Sequence, residues 1–103
     1  MPEENRCECC ARKKERKPEE YRQLINRLNR AEGQLRAVRR MVEDGCYCPD
    51  ILVQVAAVSS AVNSFGKELL AQHIRTCVAE DVRSGRDETL EELISTLQKM
   101  MKQ

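Results

Sequence analysis

Apolar residues recur along this chain at helical intervals in three places, and nowhere do they alternate as a strand requires. In the first run Tyr21, Leu24, Ile25, Leu28, Ala31, Leu35, Val38, Met41 and Val42 form a heptad-like stripe. Pro18 suits the first turn of that helix, Glu19 and Glu20 sit at the positive end of its dipole, and Gly45 ends it. The second run is Ile51, Leu52, Val55, Val58, Val62, Phe65, Leu69, Leu70, Ile74, Val78 and Val82, which predicts one helix from near Pro49 to Arg83, stopped by Ser84-Gly85. Beside it, the small residues Ala56, Ala57, Ser60 and Ala61 suit the close approach of another helix. Asp87 is placed to cap a third helix with Leu90, Leu93, Ile94, Leu97, Met100 and Met101 on one face.

The link Gly45–Cys48 is so short that the second helix must fold back beside the first. The chain therefore reads as all-α, with two long antiparallel helices and a short C-terminal one. Two such hairpins would make a four-helix bundle. At 103 residues, with Tyr21, Tyr47 and Phe65 as its aromatics and no Trp, the chain has little material for a monomeric core. Oligomerisation is the expected remedy.

The longest uncharged stretch, Ile51–Gly66, is too short for a membrane span, and the N-terminus carries no apolar signal segment. A cytoplasmic protein is expected, and six cysteines there point to metal or thiol chemistry before disulfides. Residues 1–16 hold Cys7, Cys9 and Cys10 but no large apolar residue after Met1, and are expected to form a flexible arm ahead of a helical domain at 17–103.

Three residues carry the candidate chemistry. His73 and Cys77 are four apart, on one face of a helix. Cys48 precedes Pro49, which makes it the expected N-cap, where the helix dipole favours a thiolate. From Cys48 to His73 a single helix spans about 37 Å, so one chain cannot bring the three together, whereas two antiparallel copies can. Two thiolates and one imidazole make a soft site suited to Cu(I). A capping cysteine, a hydrogen-bonded histidine and a core thiol account for the same spacing, which by itself leaves the two readings open.

The surrounding words add to the spacing. Ile25–Leu35 (INRLNRAEGQL), Tyr47–Gln54 (YCPDILVQ) and Leu70–Cys77 (LAQHIRTC) resemble the copper-sensing operon repressor (CsoR) family over about residues 20–100. The resemblance implies Cu(I) ligands Cys48, His73 and Cys77 shared between subunits, and a homotetrameric dimer of dimers that represses transcription until copper binds. It also implies a hydrogen-bond network from His73 to Tyr47 and Glu92, although Glu91 and Glu92 equally suit a solvated helix face. Nickel and cobalt sensors of this fold look for extra nitrogen ligands, and this chain has one His. The formaldehyde sensors pair an N-terminal Pro amine with the cysteine at position 48; here the arm carrying Pro2 is longer, and Cys77 stands where they lack a thiol. The alternative within the fold is a persulfide- or thiol-reactive repressor using Cys48 and Cys77. A Cys–His enzyme is disfavoured because no orienting group or oxyanion donor accompanies the pair.

Charge distribution bears on the partner. Residues 12–40 hold eleven Lys/Arg against four Glu, although the whole chain is nearly neutral. Arg27, Arg30, Arg36, Arg39 and Arg40 lie mainly off the apolar stripe and form a candidate operator-DNA face, the alternative being a solvated surface. Arg27 matches the family's DNA-contact arginine. Where relatives often carry a basic residue on the second helix this chain has Ser64, for which Lys67 or Lys13-Lys14-Arg16 would substitute. Links this short argue against a helix-turn-helix. Cys7, Cys9, Cys10 and Cys46 fall outside the family pattern and read as accessory thiols, incidental or able to capture Cu(I).

Overall fold

The computed structural model describes residues 13–101, and among them every regular element is helical. Helix α1 is Pro18–Glu43, α2 is Cys48–His73, a π-helical turn covers Ile74–Val78, α3 is Ala79–Arg83 and α4 is Glu88–Met100. The backbone stays right-handed helical through both joins, at His73 (φ −62°, ψ −44°) and at Val78 (φ −69°, ψ −46°). So α2, the π turn and α3 form one rod. The expected single helix is present, but it is wound more loosely where Cys77 lies. Thr76 supplies a reason: its hydroxyl donates to the Gln72 carbonyl at 2.7 Å, the acceptor that its own N–H would take in an α-helix. The Ala79 N–H correspondingly reaches back to the Ile74 carbonyl.

Both long rods end in the same way. Gly45 and Gly85 have φ of +70° and +80°, the left-handed region where a Cβ is costly. Cys46 N–H bonds Met41 O at 2.9 Å and Arg86 N–H bonds Asp81 O at 2.8 Å, while each glycine N–H takes the carbonyl three residues back. These are Schellman closures, and they turn the chain sharply. At the start of α2 the cap is Tyr47, extended at φ −68° and ψ 144°, and not Cys48 as expected. The Tyr47 carbonyl already accepts the amides of Asp50 and Ile51, so Cys48 is the first helical residue. Its thiol nonetheless stays at the positive end of the dipole.

The α1–α2 hairpin buries a narrow seam. Leu24 and Ala31 of α1 and Ala61 of α2 lie in it, and Val78 and Leu93 are buried where α4 folds against the π turn. The apolar stripes of the sequence divide on folding. Leu24, Ala31, Val38 and Met41 are buried or half-buried, while Tyr21, Leu28, Leu35 and Val42, spaced seven apart, remain exposed. On the second rod Leu52, Val55, Val62, Ile74 and Val82 are exposed too. Of the small-residue stripe, Ala61 is buried in the seam, whereas Ala56 and Ser60 line an open groove. No helix among the described residues is long and apolar enough to cross a membrane.

Asp81 ties the second turn to α4. Thr89, at the start of α4, and Arg86 hold its carboxyl below the usual carboxylate range, the Arg86 Nη2–Oδ1 distance being 3.1 Å. A lowered value means the ionised form favours the fold, a contribution present above 3.8 and lost as the pH falls through the depressed value. Asp81→Asn should therefore lower the thermal midpoint near neutral pH. The difference from wild type should shrink as the pH drops below 3.8, which melts followed by circular dichroism would read.

Candidate metal centre and nucleic-acid face

The three candidate ligands occupy the two ends of one rod. Cys48 opens α2 and is exposed; His73 closes it, half-buried; Cys77, also half-buried, sits in the π turn. Cys46, Cys48 and Cys77 are free thiols. Among the described residues, no group of three or more His, Cys, Asp or Glu in one chain is arranged to hold a metal ion. At about 100° per residue, Cys48 and His73 nevertheless lie within about 20° of each other around the α2 axis, with Cys77 one turn further on. The surface between them on that face carries Leu52, Val55 and Val62, all exposed.

Thr76 organises the neighbourhood of Cys77. Its hydroxyl approaches Cys77 Sγ at 3.8 Å and accepts from Lys14 Nζ at 2.6 Å, so the chain ahead of α1 is tethered beside a candidate ligand. Four residues upstream, Gln72 is 1% exposed and donates from Nε2 to Glu20 O (3.1 Å) and to Glu68 Oε2 (3.0 Å), locking α2 to the start of α1. Thr76, Gln72, Glu68 and Lys14 were not singled out from the sequence for these roles. The available signal was a Gln and a Thr four apart on the helix that carries His73.

Tyr47 is 74% exposed beside Cys48, at the far end of α2 from His73 within one chain. Glu92 is on α4, which packs against the π turn. Cys7, Cys9 and Cys10 lie outside the described residues, as does most of the expected arm.

The arginines divide into two sets. Arg30, Arg36, Arg39 and Arg40 are exposed, and Arg39 Nε pairs with Glu43 at 3.4 Å. Arg27 is half-buried, bonded to Gln23 Oε1 at 2.7 Å and facing Glu68 Oε1 at 3.9 Å. Around the α1 axis Arg36 lies about 180° from Arg27, so the five do not share one face. Arg27 instead meets Ser64 and Lys67 in a groove of about 570 Å³ between the hairpin helices, floored by Ala56, Ser59 and Ser60.

Comparison with known proteins decides the class. Residues 20–99 match the family described as metal-sensitive transcriptional repressors. The chain belongs to that family. It is 43% identical over 81 residues to the copper-sensing transcriptional repressor CsoR of Bacillus subtilis (strain 168), covering 78% of this chain and 80% of that one. It is also 46% identical over 59 residues to the copper-sensing transcriptional repressor RicR of Mycobacterium tuberculosis, covering 57% of this chain and 62% of the relative. Among solved structures it resembles the Cu(I)-bound copper-sensing repressor CsoR of Geobacillus thermodenitrificans NG80-2, with a TM-score of 0.81 and 42% identity over 87% of this chain and 95% of that one. The nickel-responsive regulator InrS is similar at a TM-score of 0.68 and 33% identity, over 86% and 97%. The CsoR resemblance of the sequence is thus borne out, and the chain is a metal-sensing repressor of a non-enzymatic regulatory family.

Proposed function

We propose that this repressor senses Cu(I), holding operator DNA in the metal-free form and releasing it when Cys48 of one protomer and His73 and Cys77 of its partner close on the ion. The observation that carries the reading is the single α2 face with a thiol at one end, a His–Cys pair at the other and exposed apolar residues between. A second α2 laid antiparallel on that face covers Leu52, Val55 and Val62 and places each Cys48 against the opposite pair. The donor set fits: two soft thiols and one imidazole suit Cu(I), and one His in the chain leaves no nitrogen-rich set for nickel. When bound, the ion supplies a link between the two helices. The residues do the rest: Cys48 offers its thiol at the positive end of the α2 dipole, and Tyr47 of the protomer that supplies Cys48, with Glu92, orients the free nitrogen of His73.

The DNA surface in this reading is the groove of Arg27 and Lys67, with Ser64 between them, repeated in a dimer of dimers and flanked by Arg30, Arg36, Arg39 and Arg40. By linkage, ligand closure weakens DNA binding by the factor with which DNA weakens copper binding.

Cys48→Ser and Cys77→Ser should each keep operator binding and lose copper-driven release, since an alcohol does not replace a thiolate toward Cu(I). The readout is fluorescence anisotropy under anaerobic Cu(I) titration, on a duplex selected from random sequence by the metal-free protein. Release at the wild-type copper level in either variant would remove that cysteine from the site. His73→Ala separates the copper sensor from a persulfide sensor built on Cys48 and Cys77. The former should stop responding, whereas the latter should answer sulfane sulfur almost as before.

The shared site predicts complementation. Cys48→Ser and the His73→Ala/Cys77→Ser double variant should each bind Cu(I) poorly alone. Their mixed dimer should regain one intact site of the two, measured by competition with a Cu(I) chelator in confirmed heterodimers.

Arg27→Ala should weaken operator binding and leave copper affinity unchanged. It should also flatten the salt dependence, by roughly one unit in the log–log slope for each phosphate no longer neutralised. Arg83→Ala, at the acidic end of the second rod, should change little. Equal losses for both would move the DNA face elsewhere.

A further inference from the structure

Within the groove proposed for DNA, Glu68 is out of place. Among the described residues that line it, Glu68 brings the one negative charge to a surface otherwise supplied with Arg27 and Lys67. Its two carboxylate oxygens look in different directions. Oε1 faces Arg27 Nη2 at 3.9 Å, beyond hydrogen-bond range, while Oε2 lies 3.5 Å from Arg75 Nη2 and accepts from Gln72 Nε2 at 3.0 Å. Arg75 stands in the π turn between His73 and Cys77, the two candidate ligands at that end of the rod. One carboxylate therefore touches both the candidate metal end and the candidate DNA contact.

We propose that Glu68 is the positioning residue that couples the two, a charge shared between Arg75 and Arg27 whose division depends on the π turn. This rests on the copper-sensing reading above, and it specifies the regulation of that site. With Arg75 engaged, part of the carboxylate's pull is taken up at the π turn, and Arg27, bonded to Gln23 through Nη1, keeps Nη2 for a phosphate. Closure of His73 and Cys77 on the ion re-aims the turn and withdraws Arg75. The full negative charge then falls on Arg27, drawing it into a direct hydrogen bond that a DNA phosphate must displace. Gln72, buried and bonded to the Glu20 carbonyl, keeps Glu68 in the groove throughout, so the charge is redistributed and not lost to solvent. The sign agrees with derepression: ligand closure lowers the positive potential presented to DNA.

A copper-free double-mutant cycle on the full-length protein tests it, again on the duplex selected from random sequence. Arg75→Gln should mimic the closed site and weaken binding by about threefold per DNA-engaged protomer, the size expected of a partly exposed ion pair. Arg75→Lys, which keeps the charge, should bind like wild type. Glu68→Gln keeps the Gln72 contact but removes the charge, and should bind more tightly with a steeper salt dependence. In that background Arg75→Gln should have no further effect, because its influence passes through Glu68. Unfolding melts confirm folding, and Glu68→Ala provides a second background if Glu68→Gln is poorly folded. A persistent Arg75→Gln loss in both backgrounds would mean that Arg75 meets DNA itself, and the proposal falls. It falls as well if all variants bind like wild type. Copper then adds a separate arm: Glu68→Gln should reduce the ratio of metal-free to loaded DNA affinity while Cu(I) affinity by chelator competition stays within about twofold. If wild-type protein does not release DNA on Cu(I), the copper reading fails, while the metal-free cycle still decides whether Glu68 links Arg75 to Arg27.

Discussion

A helix is a rigid ruler, and the length of the second rod sets the terms for everything else in this repressor. Cys48 and His73 are fixed at opposite ends of α2, about 37 Å apart at the usual rise, so bringing them together requires a second chain. The hairpin serves that requirement. It buries only a narrow seam around Leu24, Ala31 and Ala61, and it leaves apolar residues exposed on both long helices. A protomer built in this way has its candidate ligands and its missing core on the same surface. For a copper sensor of the kind proposed, assembly and metal sensing are consequently one problem, solved by one contact.

The second theme is where rigidity is relaxed. Schellman closures with left-handed glycines pin both turns, and Gln72 locks α2 to α1 from a fully buried position. The rod is regular until His73 and then widens for five residues around Cys77. Local departures of this kind recur at functional positions in helical proteins. Thr76 both causes the departure, through the Gln72 carbonyl, and receives Lys14 from the segment ahead of α1. The part of the rod best able to change register thus lies next to two candidate ligands and to a basic segment.

Much of this was legible in the residues. The three helices, their order, both glycine stops and the hairpin follow from apolar period and turn chemistry, because those signals are local. The helix-length argument for Cys48 and His73 is equally local, since it needs only a rise per residue. The cap falls at Tyr47, one residue ahead of the Cys48 that the sequence predicts, because Pro is accommodated at either of the first two helical positions. The π turn was not anticipated, because its cause is a competition for one carbonyl that the 3.6-residue pattern does not report. Nor does spacing reveal that Arg27 turns inward toward Glu68 while Arg36 points to the other side of α1. That depends on which face of α1 the second helix covers, and the apolar stripe was too broad to fix it.

The exposed residues Tyr21, Leu28, Leu35 and Val42 repeat at intervals of seven. A repeat of seven on a helix of 3.6 residues per turn drifts by about 20° each time, so the line they mark winds slowly around α1. A partner helix that follows it must coil left-handedly. The Arg27 groove on each protomer is carried around with that coil, so copies of it sit on a twisted frame. A spacing of seven on a single chain thus already sets the hand in which a helix packed along α1 has to coil.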